Sequence, residues 1–121
     1  MNKCCVIGNL TRDPELRTTG NGVNVCNFTV AVNRHRGEQE ATDYFRVTAW
    51  RQLGENCAQY LAKGRKVAVI GVVTARAYTG SDGVVYATME LTADEVEFLT
   101  PRGGGQGYTP VSNDELPEEF R

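Results

Sequence analysis

Aromatic and basic side chains occur at alternate positions between residues 44 and 50, and side chains of these kinds can stack on flat rings and pair with anions. On the predicted strand Asp43–Arg51, Tyr44, Arg46 and Trp50 share one face, because successive side chains of a strand point to opposite sides. Burying an unpaired guanidinium is very costly, so Arg46 indicates that this face is open. Exposed rings stack on unpaired bases of any sequence, and guanidinium groups neutralise phosphates. The pattern therefore favours binding of a single-stranded nucleic acid.

Other predicted strands carry the same mixture. Arg76 and Tyr78 lie two positions apart on one strand, and Tyr86 belongs to the outward set of the next. Further positive charge comes from Lys3, Arg17, Arg34, Arg36, Arg51 and Lys66. The alternative is a set of cross-strand aromatic pairs covered by cations, which would stabilise a sheet without any ligand.

Residues that usually carry catalysis or hold metals are sparse and scattered. His35 is the only histidine and lies in a polar segment, and neither Ser81 nor Ser112 has a plausible base nearby in sequence. The four cysteines form no C-x-x-C pair, and Cys4 and Cys5 would point to opposite faces of a strand. We expect buried, unpaired cysteines, no metal site, no cofactor and no enzymatic activity.

Hydrophobic periodicity predicts five strands and one helix. In chain order the elements are strand Lys3–Asn9 with a short continuation at 16–18, strand Val23–Arg34, strand Asp43–Arg51, helix Leu53–Leu61, strand Lys66–Tyr78 and strand Val84–Ala93. Val96 and Phe98 complete the domain near Thr100. A helix between the third and fourth of five strands is the arrangement of the OB-fold, an all-β Greek-key barrel.

Local signals predict how these elements connect. Asn21-Gly22 predicts a type I′ hairpin turn, and a change of apolar phase between Val25 and Cys26 predicts a β-bulge. Residues 34–42 are polar and predict a hairpin loop. Gly64 is a candidate end for the helix, and Gly71 marks a bend in the fourth strand.

Charge divides the chain unevenly. Residues 1–80 hold eleven Lys and Arg against six Asp and Glu, a net charge of +5, whereas residues 81–121 hold two against nine, a net charge of −7. From Pro101 the composition shifts to glycine and then to acids. We therefore expect a domain over residues 1–100 and a flexible linker with a disordered acidic tail over 101–121. No run is apolar enough for a membrane span or a signal peptide, so we expect a cytoplasmic protein.

In the order and spacing of its motifs, the chain resembles the bacterial single-stranded DNA-binding protein family over about residues 2–100. The resemblance is carried by Asn2-Lys3 with Val6-Ile7-Gly8-Asn9-Leu10, by Asp13-Pro14-Glu15-Leu16-Arg17, by Asn21-Gly22 with Phe28-Thr29-Val30-Ala31-Val32-Asn33-Arg34, by Arg46-Val47-Thr48-Ala49-Trp50, by Glu55-Asn56 with Tyr60-Leu61-Ala62-Lys63-Gly64, and by Val96-Glu97-Phe98-Leu99. It implies an OB-fold protein, usually a homotetramer, that wraps single-stranded DNA during replication, recombination and repair.

The resemblance also implies roles for particular residues. It places Tyr44, Trp50 and Tyr78 at base-stacking positions, Lys3, Arg17, Arg46 and Arg76 among the basic positions that contact the DNA backbone, and Phe45 against a neighbouring subunit. Together with the residues chosen from the pattern, the predicted DNA-binding set is Tyr44, Trp50, Tyr78, Tyr86, Lys3, Arg17, Arg34, Arg46, Arg51 and Arg76. Arg36 stands where some members carry a further stacking tryptophan.

The acidic tail resembles the segment through which family members recruit replication and repair proteins. In the family it commonly ends in acids followed by Pro-Phe. Here the corresponding candidates are Asp114, Glu115, Leu116, Pro117 and Phe120, with two glutamates between the proline and the phenylalanine. Two other functions stay open on sequence grounds: an OB-fold module that binds another protein with the same aromatic face, and an OB-fold nuclease with acids around a metal.

Overall fold

The computed structural model describes residues 1–100, which form six strands and one helix. The elements are β1 (Cys4–Leu10), β2 (Glu15–Thr18), β3 (Asn24–Arg36), β4 (Gln39–Trp50), α1 (Arg51–Tyr60), β5 (Lys66–Thr79) and β6 (Val85–Phe98). This order reproduces the predicted strands with a helix before the last two. Within these residues the helix is only ten residues long, too short to cross a membrane.

The strands form one sheet that closes on itself. Its order is β1-β5-β6-β4-β3-β2, and a further pairing of β1 with β3 joins its two sides through Asn9 opposite Ala31 and Leu10 opposite Val30. Neighbouring strands run antiparallel except β4 and β6, which are parallel. Strands β1, β3, β4, β5 and β6 are therefore the barrel, and β2 is a short strand along β3. The predicted OB-fold is confirmed.

The inside of the barrel is filled by the apolar half of each alternating strand. The largest fully buried side chains include Leu91, Val30, Val47 and Val67, and α1 adds Cys57 over one end. Burying a valine or leucine side chain stabilises a fold by about 1.5–3 kcal/mol relative to leaving it exposed. The barrel core thus provides the rigid support on which the outward side chains are held.

The bend predicted at Gly71 is confirmed. Pairing of β5 with β6 shifts register between Ile70 and Gly71, and Asp94 is the β6 residue left without a partner in the ladder. A Cβ at position 71 would collide with the backbone carbonyl of Thr92, so only glycine allows the two strands to approach this closely. Beyond the shift β6 continues to Phe98, further than the Ala93 predicted.

The hairpin loop predicted over residues 34–42 is wrong. Strand β3 continues to Arg36 and β4 begins at Gln39, so only Gly37 and Glu38 form the turn. The β3–β4 ribbon projects beyond the barrel with both faces in solvent, and polar pairs such as Thr42 with Asn33 hold it together. These residues are polar because both faces of the ribbon are in contact with solvent, and not because the segment is a loop.

The β-bulge predicted in β3 is not observed. Pairing with β4 runs without a shift from Val25 opposite Trp50 to Arg36 opposite Gln39. Val25 lies on the outer face between its cross-strand partners Trp50 and Arg17, where it is only 6% exposed. The change of apolar phase therefore arises because Val25 is apolar and buried although it lies on the outside of the barrel.

The type I′ turn predicted at Asn21-Gly22 is also wrong in detail, although the hairpin exists. Gly22 has a φ of 81°, and the only non-glycine residue with positive φ among residues 1–100 is Arg51. The Gly22 N–H donates to the Thr19 carbonyl at 2.9 Å. The loop is thus a turn followed by one left-handed glycine, the usual three-residue hairpin solution.

Candidate nucleic-acid interface

The outer faces of β3, β4, β6 and β5 form one curved surface with Arg46 near its centre. In register across these strands, Thr29 lies opposite Arg46, Arg46 beside Glu90, and Glu90 opposite Thr74. Side chains in register across neighbouring strands lie on the same face of a sheet. Phe45, by contrast, points into the barrel. The alternation of side chains along β4 predicted that Phe45 and Arg46 would lie on opposite faces.

The four aromatic side chains predicted to stack on bases are all exposed. Relative exposure is 58% for Tyr44, 46% for Trp50, 52% for Tyr78 and 41% for Tyr86. Trp50 lies at the end of β4 and Tyr44 near its middle, and Tyr78 and Tyr86 lie opposite each other near the tip of the β5–β6 hairpin. A ring that is exposed to this degree has an open π-face, and a base that stacked on it would displace water.

Two adjoining depressions run along the β3–β4 part of this surface. One, of about 410 Å³, is lined by Trp50, Arg17, Val25 and their neighbours, and the other, of about 380 Å³, contains Arg46, Arg12 and Glu90. Both include Asn27 and Thr48, whose side chains are joined by a 3.0 Å hydrogen bond from the Thr48 hydroxyl. We call this path, from Trp50 to Glu90, the central groove.

Tyr78 and Tyr86 are stacked on each other at the far side of the surface. Their ring centroids are 5.6 Å apart with an angle of 27° between the planes. The Tyr86 hydroxyl donates to Oδ2 of Asp82 at 2.6 Å, and the Val84 N–H donates to Oδ1 at 3.0 Å. The hydrogen bond from Tyr86, followed by that from Val84, holds the pKa of Asp82 below its usual range, and the same contact with Asp82 raises the pKa of Tyr86.

Three of the six cations in the predicted DNA-binding set lie in exposed ion pairs. The nitrogen–oxygen distances are 3.5 Å for Lys3 with Asp94, 2.5 Å for Arg34 with Asp43 and 3.3 Å for Arg76 with Glu90. Surface pairs of this kind contribute little to stability. A phosphate can therefore replace the carboxylate at small cost.

The other three cations have no ion pair with any of the residues 1–100. Arg17 and Arg46 line the central groove, and Arg51 follows Trp50 directly, at the sharp turn from β4 into α1 where its φ is 59°. The structure thus gathers Arg17, Arg46 and Arg76 on the aromatic surface. Arg34 lies apart on the β3–β4 ribbon, and Lys3 lies before β1.

Sequence reasoning missed four residues of this surface. Glu90 had a local signal, since it follows Tyr86 and Thr88 in the outward set of β6. Asn27 and Arg12 join the groove only through the folding of β3 and the β1–β2 connection around the barrel. Asp82 had a turn-forming signal but nothing that indicated a bond to Tyr86.

Phe45, predicted to contact a neighbouring subunit, packs inside its own barrel and is 9% exposed. Its role between subunits stays a prediction. Apolar side chains that are exposed on the barrel wall lie elsewhere, with Ile7 on β1 and Val72 on β5. The predicted tail residues Asp114, Glu115, Leu116, Pro117 and Phe120 lie outside the described residues.

Side chains with metal-binding or nucleophilic chemistry stay separate in residues 1–100. No three His, Cys, Asp or Glu side chains converge there to hold a metal ion. Cys26 and Cys57 are buried, and desolvation raises the pKa of their thiols to about 11 and about 12, with Cys26 adding to the effect on Cys57. Such thiols stay protonated at neutral pH and are poor nucleophiles.

Comparison with known proteins gives one consistent result. Residues 1–99 match the model of the single-strand binding protein family. A single-stranded DNA-binding protein of Caldanaerobacter subterraneus subsp. tengcongensis is 43% identical over 99% of this chain and 83% of its own length. That of Halalkalibacterium halodurans is 45% identical over 93% of this chain and 70% of its own length, and single-stranded DNA-binding protein 2 of Staphylococcus aureus is 41% identical over 99% and 96%. The family agrees with the predicted absence of enzymatic activity, and the chain belongs to the single-strand binding protein family.

Proposed function

We propose that this chain binds single-stranded DNA without sequence preference and without catalysis. The observation that carries the proposal is the exposure of Trp50 on the same continuous groove as Arg17 and Arg46, which have no ion pair within residues 1–100. The names of the related proteins support the same ligand. Proteins that bind single strands combine aromatic platforms with a positively charged path, as this surface does.

The binding path follows from the order of side chains on the surface. A base stacks on Trp50 while Arg17 and Arg51 meet the adjacent phosphates. The strand then follows the central groove past Arg46 and reaches Tyr78, where Arg76 exchanges Glu90 for a phosphate. Tyr44 offers a further ring beside Arg46, and Arg34 and Lys3 add charge at the edges.

Lack of sequence preference follows from the same chemistry. Every base has a π-face, so stacking on a ring accepts all four, and phosphates are identical along the strand. Duplex DNA hides its base faces inside the stack and offers nothing to Trp50 or Tyr78. We therefore expect discrimination between single and double strands rather than between sequences.

Self-association into a homotetramer is part of the proposal. Ile7 and Val72 are exposed on the outer faces of the antiparallel neighbours β1 and β5, and Ile70 is partly exposed. Apolar side chains grouped on a barrel wall favour contact with another protein surface. Light scattering coupled to size-exclusion chromatography gives the number of subunits directly.

We further propose that the chain acts in the cytoplasm in DNA replication, recombination and repair. In this proposal, the acidic tail residues 114–117 and Phe120 recruit replication and repair proteins. Capture of such proteins by the full chain, and its loss from a chain truncated after Arg102, would test the role of the tail.

Fluorescence anisotropy with labelled oligonucleotides tests the central proposal. Oligo-dT should bind tightly, a duplex of the same length weakly, and a mixed-sequence single strand about as well as oligo-dT. Labelled oligo-U in the same titration measures the preference for DNA over RNA. Equal binding of duplex and single strand would contradict stacking as the basis of recognition.

A further inference from the structure

Tyr86 is fixed more firmly than an exposed side chain ordinarily is. Its ring stacks on Tyr78, its hydroxyl is bonded to Asp82, and its edge lies over the backbone of Gly80. Ordering a flexible side chain at the moment of binding costs free energy. Here the protein has ordered the ring before any DNA arrives.

Asp82 can hold the ring because the turn holds Asp82. Its Oδ1 accepts the Val84 N–H while its Oδ2 accepts the Tyr86 hydroxyl, so both carboxylate oxygens are used and the side chain is oriented. The residue is four positions from Tyr86 along the chain. The hydrogen bonds therefore connect the tip of the β5–β6 hairpin to the ring of Tyr86, which stacks on Tyr78.

Gly80 makes room for this arrangement. A Cβ at position 80 would lie 2.7 Å from Cε2 of Tyr86 and 2.9 Å from Oδ1 of Asp82, closer than real contacts allow. The φ of Gly80 is not in the left-handed region, so the backbone itself would accept other residues. A side chain at this position would therefore have to displace the Tyr86 ring or the Asp82 carboxylate.

We propose that Asp82 is a positioning residue for DNA binding, which locks Tyr86 behind Tyr78 so that the two rings form one preassembled stacking surface. The inference rests on the proposed function. Each ring of the pair already covers one face of the other, so together they offer fewer faces to bases than two separate rings. In exchange, the ordering of Tyr78 and Tyr86 is not left to the binding step.

Electrostatics alone predicts the opposite sign for Asp82. An acidic side chain beside a DNA strand repels phosphates, so its removal should raise affinity, most of all at low salt. If Asp82 positions Tyr86, its removal should lower affinity. The direction of change thus separates the two roles.

The test compares Asp82→Ala and Tyr86→Phe in the full chain, with Ser81→Ala as the matched control in the same turn. The positioning role predicts that each of the first two lowers affinity for oligo-dT by about threefold, within the range expected when one side chain must be ordered on binding. Ser81→Ala should bind as the unchanged chain does. Higher or equal affinity in Asp82→Ala would overturn the proposal.

The double variant separates positioning from a loosened turn. Tyr86→Phe keeps the ring, the charge of Asp82 and its bond to Val84, and removes only the hydroxyl. If the two residues act through one bond, the double variant should bind oligo-dT only slightly more weakly than Tyr86→Phe alone. Losses that multiply independently would show that the bond does not carry the effect.

A structural readout accompanies the binding data. In NMR spectra, the ring protons of Tyr86 should shift in Asp82→Ala as the stack with Tyr78 loosens, while core methyl signals stay in place. Unchanged ring signals in Asp82→Ala would also contradict the inference. If the unchanged chain itself failed to bind oligo-dT, the proposed function would fail instead.

Discussion

The β2–β3 and β5–β6 hairpins use the same backbone turn and place different surfaces beside it. In one, the Thr19 N–H donates to the Val23 carbonyl at 2.8 Å, and in the other Gly80 and Val84 repeat this bond at 2.8 Å. Each loop ends in a glycine with a φ of 81°, Gly22 or Gly83. The backbone path of the two loops is therefore alike.

Their first loop residues differ, and this difference decides what lies over the turn. Thr19 accepts the Val23 N–H with its own hydroxyl at 3.2 Å. Gly80 has no side chain, so Asp82 caps Val84 instead and the Tyr86 ring lies against the glycine. The glycine at the start of the β5–β6 turn thus leaves room for a ring that lies against the turn.

The residue pair next to each turn differs in the same way. Arg17 lies opposite Val25, which in turn lies opposite Trp50, and we call these three residues the tryptophan platform. Tyr78 lies opposite Tyr86, and with Asp82 they are the tyrosine platform. The first has a single ring with a cation beside it, whereas the second has two rings that already stack on each other.

The largest effect is expected at the tryptophan platform. Trp50→Ala should weaken binding to oligo-dT by about tenfold or more, since a stacked base contributes roughly 1–3 kcal/mol. Trp50→Phe keeps a ring and should recover most of the affinity. Anisotropy titrations at one salt concentration measure both, and an unchanged affinity in Trp50→Ala would remove this platform from the account.

A smaller effect is expected at the tyrosine platform. Tyr78→Ala should weaken binding by about threefold, because Tyr86 still offers a ring to the base in the absence of its partner. The double change Tyr78→Ala with Tyr86→Ala should approach the loss in Trp50→Ala. A loss in Tyr78→Ala alone that matched Trp50→Ala would show that the two tyrosines do not share one role.

Salt dependence should distinguish the cations beside the two platforms. Arg17 has no ion pair within residues 1–100, so Arg17→Gln should reduce the slope of log affinity against log salt by about 0.7, the value for one contact to a single strand. Arg76 is paired with Glu90 and would have to exchange it for a phosphate, so Arg76→Gln should change the slope less. A larger change in Arg76→Gln would contradict the assignment of its ion pair.

The smallest effect tests the turns themselves. Gly80→Ala should displace Tyr86 and weaken binding by about twofold, a part of the cost of ordering one side chain. Thr19→Ala, at the matching position of the other hairpin, should leave affinity unchanged although it removes an acceptor from Val23. Thermal melts of both variants check that the barrel is intact, and equal losses of affinity in the two would refute the comparison.

Sequence alone predicted the features that depend on local alternation. The period of two on β4 separated Arg46 from Phe45, and the bend at Gly71 followed from a glycine in an apolar strand. The exposed β3–β4 ribbon was missed because polar residues on both faces resemble a loop. The apolar Val25 led to the prediction of a bulge because Trp50, which shields it from solvent, belongs to another strand.

Contacts between distant segments could not be predicted in this way. The parallel pairing of β4 with β6 brings Glu90 beside Arg46, although the two residues are far apart in sequence. Nor does any local pattern state that Arg76 is paired or that Tyr86 is bonded to Asp82. The exposed aromatic and basic positions of the outer face were thus predictable, whereas the contacts that restrain their side chains required the structure.

Trp50 is the only tryptophan of the chain, so its intrinsic fluorescence reports on one position of the proposed interface. A titration of the full chain with oligo-dT at low salt should quench this fluorescence strongly and reach a plateau at a fixed ratio of nucleotides to protein. Binding detected through a labelled oligonucleotide without any change in Trp50 emission would contradict stacking on this ring.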